Sequence, residues 1–152
     1  DWTQTEAALY CLCCVSREVC ARVKARAGGS SIRADRDATV QQLLQLLQQF
    51  VGTAKKQTHP LVRRGIASFV AAYGPVWSIH CNSEALLQLL AYLRMGGMTE
   101  EAAKGTRSLY VSCSSKLLEG NSHVALLSSM QETMQAVLLA DDEASMMAVA
   151  EG

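Results

Sequence analysis

Two stretches of this chain carry the same five residues, Leu-Leu-Gln-Leu-Leu, at Leu43–Leu47 and again at Leu86–Leu90. A shift of 40 residues then lays Ala85-Leu86-Leu87 on Ala125-Leu126-Leu127 and Asn82 on Ser122. The same shift carries Arg64-Gly65 onto Lys104-Gly105 and Ser68-Phe69 onto Ser108-Leu109. A unit this short cannot bury an apolar face by itself, so its copies must stack on one another. The repetition favours an extended binding surface over a closed vessel for chemistry.

The apolar positions keep a helical period. Ala7, Ala8, Leu9, Leu12, Val15, Val19 and Val23 recur at intervals of mostly three and four, predicting a helix over about residues 3–23. Gly28-Gly29-Ser30-Ser31 reads as a flexible connection, and Asp37 as the cap of a helix to residue 51. Thr58 and Pro60 open a helix that Tyr73-Gly74-Pro75 closes. Asn82 or Ser83 caps the next, to Met95, and Gly96-Gly97 ends it. Thr99-Glu100-Glu101 opens another, with acids at the positive end of its dipole, reaching about Leu118. Ser122 begins a helix to about Leu139, and Asp141 or Asp142 begins a last one.

The elements pair as residues 3–51, 59–95 and 99–139, with a truncated helix at 141–151 left over. Leu43, Leu44, Leu46, Leu47 and Phe50 make an arc too broad for a helix covered on one side. The expected architecture is all-α: a HEAT-repeat α-solenoid, or α-α superhelix, of about three helix pairs plus one orphan. Trp2, Leu9, Leu43, Leu47, Phe69, Leu86, Leu90 and Leu127 are its expected anchors. The chain opens Asp1-Trp2-Thr3 inside a helical pattern, which is expected of one segment, residues 1–152, from a longer solenoid.

Nothing in the composition suggests nucleic acid or a membrane as a direct partner. Formal net charge is zero, and no apolar run approaches the roughly 18 residues that span a bilayer. Phosphate loops, nucleophile elbows and His-Glu-x-x-His pairs are missing, so the chain reads as no enzyme, with no catalytic, cofactor-binding or metal-ligating residues. Glu100-Glu101 and Asp141-Asp142-Glu143 open helices, where the dipole accounts for them. The six cysteines read as buried reduced thiols; Cys11 and Cys14 with His80 and Cys81 make only a poor zinc set. His59, His80 and His123 fall at helix boundaries, where capping or exposure is expected.

Two features have partner potential. The basic connection contributes Arg17, Arg22, Arg26, Arg33 and Arg36, residues suited to oxyanions. Gln41, Gln45 and Gln88 lie on the polar sides of the second helices.

The opening Trp2-Thr3-Gln4-Thr5-Glu6-Ala7-Ala8-Leu9 resembles the Trp-x-x-Thr-Glu-Ala-x-Leu helix of nuclear transport receptors in the importin-β superfamily, in the transportin-3 (transportin-SR) and importin-13 branch. Ile66–Trp77 is similar to that family's helix ending in a Tyr/Ser–Trp turn, and Leu86–Leu93 to its next helix. Ala102-Ala103-Lys104 with Leu109–Cys113 is similar to its Ala-rich, Cys-bearing helix. The resemblance implies central HEAT repeats of a karyopherin that binds protein cargo. Ran-GTP and nucleoporins would be engaged through the full-length receptor, shuttling between nucleus and cytoplasm. The family's Ran contacts lie largely in N-terminal repeats outside this stretch. Two other readings fit the periodicity: a HEAT scaffold or adaptor outside nuclear transport, and a small helical ligand-binding or enzymatic bundle.

Overall fold

In the computed structural model the backbone is described for residues 2–27, 33–53, 59–95, 97–119 and 123–151. Side chains are described for 2–25, 38, 40–49, 59–95, 97–119 and 123–141. Every element among these residues is a helix: α1 (Trp2–Ala27), α2 (Arg33–Thr53), α3 (Pro60–Ala72), α4 (Gly74–His80), α5 (Ser83–Arg94), α6 (Glu100–Ser112), α7 (Ser114–Leu118) and α8 (His123–Glu151).

Local chemistry explains three of the starts. Pro60 occupies the first turn of α3, where a missing N–H costs little. The Asn82 side chain accepts from Ala85 N at 2.8 Å to cap α5, and Thr99 Oγ1 accepts from Ala102 N at 3.2 Å to cap α6. α3 and α6 begin 40 residues apart, as do α4 and α7, and α5 and α8.

The period extends to a backbone break. α3 stops at Tyr73 (φ −102°, ψ 17°) and α6 at Cys113 (φ −115°, ψ 14°), again one period apart, and a short helix follows each. Gly74-Pro75 announces the first break, but its counterpart is Ser114-Ser115, which announces nothing. What the two positions share is packing. Tyr73 and Cys113 are both fully buried, and each reaches back to the preceding unit. Tyr73 Oη donates to the Leu12 carbonyl at 2.8 Å; the Cys113 thiol makes a weak contact with the Gly74 carbonyl at 3.9 Å.

α3 packs between α1 and α6, so first helices of successive units lie against first helices, while α5 packs on α8. Glycines make the close approaches. A Cβ on Gly65 would stand 3.1 Å from Leu9 Cδ1, and one on Gly105 would stand 3.1 Å from the Ala67 carbonyl oxygen. These two glycines are one period apart and serve two successive steps of the stack. Ser108 Oγ, beside Gly105, donates to the Ala71 carbonyl at 2.9 Å.

The core runs from Leu9 through Leu43 and Leu47, then Phe69, Tyr73 and Trp77, to Leu86, Leu90, Leu109 and Leu117. Six of the eight expected anchors belong to it. Trp2 does not: its indole is 39% exposed and stacks on His59, centroids 3.8 Å apart. Leu127 is 66% exposed, and Leu126 is buried in its place. Polar contacts between α5 and α8 add to the burial of Leu126. Arg94, at the end of α5, donates to Ser129 Oγ at 2.9 Å, Thr133 Oγ1 at 3.3 Å and Glu132 Oε2 at 2.6 Å. With α8 held there, its opposite side keeps Leu127 outward.

Three expected boundaries also change. α1 continues to Ala27 and α2 starts at Arg33, so most of the supposed basic connection is helix. Residues 141–151 form no separate helix but the end of α8, which contains neither Gly nor Pro to interrupt it. The span expected at 99–118 is divided by the break at Cys113, whereas the helix expected to close at Tyr73-Gly74-Pro75 does close there.

Candidate interaction surface

The expected partner-binding residues do not form one site. Arg17 and Arg22 are exposed on α1, and Arg22 is held by Glu18 one turn away at 3.0 Å. The side chains of Arg26, Arg33 and Arg36 lie outside the described residues. Gln41 and Gln45 share an exposed face of α2, and Gln88 is exposed on α5. Gln45 and Gln88 hold the same place in the two Leu-Leu-Gln-Leu-Leu runs, which explains their common exposure beside buried Leu47 and Leu90.

A surface that sequence reasoning missed lies at the far end of the stack. Met98, Ala103, Thr106, Arg107, Val111 and Val137 line a groove of about 320 Å³ between α6 and α8. Val111 is 72% exposed, and Leu118, Met134, Leu138 and Leu139 add further exposed apolar area nearby in the chain. The hydroxyls of Thr106 and Tyr110, both lining the groove, are buried without a partner among the described residues. Exposed apolar area beside unpaired buried polar atoms is expected of a surface that works covered.

The repeat explains where this groove comes from. Arg63, Ala67, Leu93 and Gly97 line a cavity against which α6 begins. One period on, Ala103, Arg107, Thr133 and Val137 line the α6–α8 groove. Ala67 and Ala71, small enough for α6 to approach α3 closely, are matched by Arg107 and Val111. A helix docking on α6 would therefore stand further out. The periodicity was legible in the sequence; the change from small to large residues was the available clue.

All six cysteines are free thiols. Cys11 and Cys14 are exposed on α1 whereas Cys81 is buried, so these thiols share no common environment. Burial pushes the Cys81 thiol up to about 11; burial, then the neighbouring Cys81, does the same for Cys113. The fold keeps both protonated, while in the unfolded chain they ionise near the ordinary value of 9.0. Their stabilising effect is therefore complete below pH 9 and lost as pH rises to 11, about 1–2 kcal/mol each. The urea midpoint is expected to fall across that window, and at pH 8 a thiol reagent should modify Cys11 and Cys14 while sparing Cys81 and Cys113. A flat profile, with all thiols reacting at once, would mean that the two are not enclosed.

No helix among the described residues is long and apolar enough to cross a membrane. No protein-family model, no curated protein and no solved structure matches the chain.

Proposed function

We propose that the chain is a HEAT-repeat segment of a karyopherin-like nuclear transport receptor. It acts without catalysis, helping to hold protein cargo while the full-length receptor engages Ran-GTP and nucleoporins and shuttles between nucleus and cytoplasm. The observation that carries this reading is the recurrence, at 40 residues, of a long helix broken at one buried position and stacked on its predecessor through a glycine. Units joined in this way touch mainly their neighbours, so small shifts at each step add up to a change of curvature. Such a change would open or close the stack around cargo and Ran. The Trp2–Leu9 opening and the Ile66–Trp77 helix add the family resemblance.

Ran loaded with a non-hydrolysable GTP analogue is expected to retain the native polypeptide, and Ran-GDP to release it. Equal retention by both forms, or by neither, would remove the transport reading. A HEAT scaffold outside nuclear transport would then be the better account, since the same stacking serves it.

A further inference from the structure

Between α3, α5 and the start of α6 lies a cavity of about 170 Å³, lined by Arg63, Arg64, Tyr92, Gly97 and Thr99 among others. Its polar groups are short of acceptors. Tyr92 is only 6% exposed, and its hydroxyl has no hydrogen-bond partner among the described residues. Arg63 is half-buried and forms no ion pair with a described residue. Thr99 Oγ1 accepts from Ala102 N, which leaves its hydroxyl hydrogen to donate.

The surrounding field is positive. α3 and α6 both begin at this cavity, with Pro60 and Thr99 in its lining. α3 has no acid in its first turn, and its cap residue His59 makes no capping side-chain bond. The two acids that open α6 are already engaged: Glu101 accepts from Arg64 Nη2 at 2.6 Å and Glu100 from Lys104 Nζ at 2.6 Å. Among the described residues this leaves one guanidinium and one buried phenol without a partner, beside the positive ends of two helices. Burial pushes the Tyr92 phenol up, and the Arg63 cation draws it part of the way back, so the two groups feel each other.

One period on, Ala103 stands for Arg63, Glu132 for Tyr92 and Leu139 for Thr99, so the donor set is particular to this unit. We propose that this cavity binds a compact oxyanion, a carboxylate or phosphate group, held by Arg63 and the Tyr92 hydroxyl beside the start of α6. Guanidinium and phenol together present the donors that such a group accepts. The site goes beyond the transport reading and does not depend on it.

Amide NMR spectra of the whole chain, titrated with inorganic phosphate at constant ionic strength in chloride, test the site. Phosphate is expected to shift the Arg63 and Thr99–Ala102 signals saturably. Tyr92→Phe should weaken binding about three- to tenfold and Arg63→Gln about tenfold or more. Arg107→Gln, in the separate α6–α8 groove, should bind as the parent does. Both site variants should melt close to the parent, because the ring of Tyr92 is kept and Arg63, half-buried, gives up no ion pair with a described residue. Acetate replaces phosphate in a second arm: equal or tighter acetate binding assigns the site to an acidic side chain, and phosphate preference to a phosphorylated one. Shifts that chloride alone reproduces would overturn the proposal. So would phosphate binding unchanged in both Arg63→Gln and Tyr92→Phe.

Discussion

Leu90→Asp is expected to leave the chain unfolded at room temperature. Leu90 is 0% exposed, in the core that joins the Leu43 and Leu47 side chains to Trp77 and Leu109. Loss of its packing alone costs about 2–5 kcal/mol. An aspartate there must also be stripped of water without a cation beside it, or take up a proton, at a cost of several kcal/mol more. Together these approach the whole stability of a domain, typically about 5–15 kcal/mol. Gln88→Asp, two residues earlier on the exposed side, should change stability by about 0.5 kcal/mol or less. Circular dichroism melts of both variants separate burial from helix propensity, since the same residue enters the same helix. If Leu90→Asp melts alongside Gln88→Asp, α5 does not bury the face assigned to it.

The contrast between those two positions was visible in the sequence, because the Leu-Leu-Gln-Leu-Leu run places Gln88 between leucines at helical spacing. Local signals held at two starts, where Asn82 and Thr99 cap helices because their side chains reach an amide three residues on, but failed at Asp37 and at Asp141, which lie inside α2 and α8. The break at Cys113 had no such signal. It comes from a buried residue packed against the preceding unit, and a local reading continues the helix through it. The exchange of Leu127 for Leu126 has a similar origin. An apolar pair shows that a helix has an inner face, but the Arg94 contacts to Ser129, Glu132 and Thr133 fix which leucine turns inward. Trp2 was expected among the anchors of the stack, yet it is 39% exposed and stacks on the ring of His59. The α6–α8 groove and the Tyr92 cavity were hidden for the same reason: each requires knowing which helices meet.

Trp77→Ala should produce the second largest loss, and the repeat supplies its control. Trp77 is fully buried just after the Tyr73 break, 5.6 Å from Phe69 edge-on and 6.0 Å from Tyr73, centroid to centroid. Its indole Nε1 donates to the Val70 carbonyl at 3.0 Å, tying α4 back to α3 across the break. Truncation to alanine removes the ring and that tie, for about 3–5 kcal/mol. Trp77→Phe keeps most of the packing and loses the hydrogen bond, so a cost of about 1–2 kcal/mol is expected. One period later Leu117 fills the corresponding place after the Cys113 break and is equally buried. Leu117→Ala should cost about 2–4 kcal/mol. If Trp77 is the anchor that the geometry describes, urea unfolding ranks the variants Trp77→Ala, Leu117→Ala, Trp77→Phe in falling order of damage. If Leu117→Ala proves the more harmful, the stack is held chiefly at its second break. The aromatic group around Tyr73 would then be filling space, not fixing the angle at which α4 leaves α3.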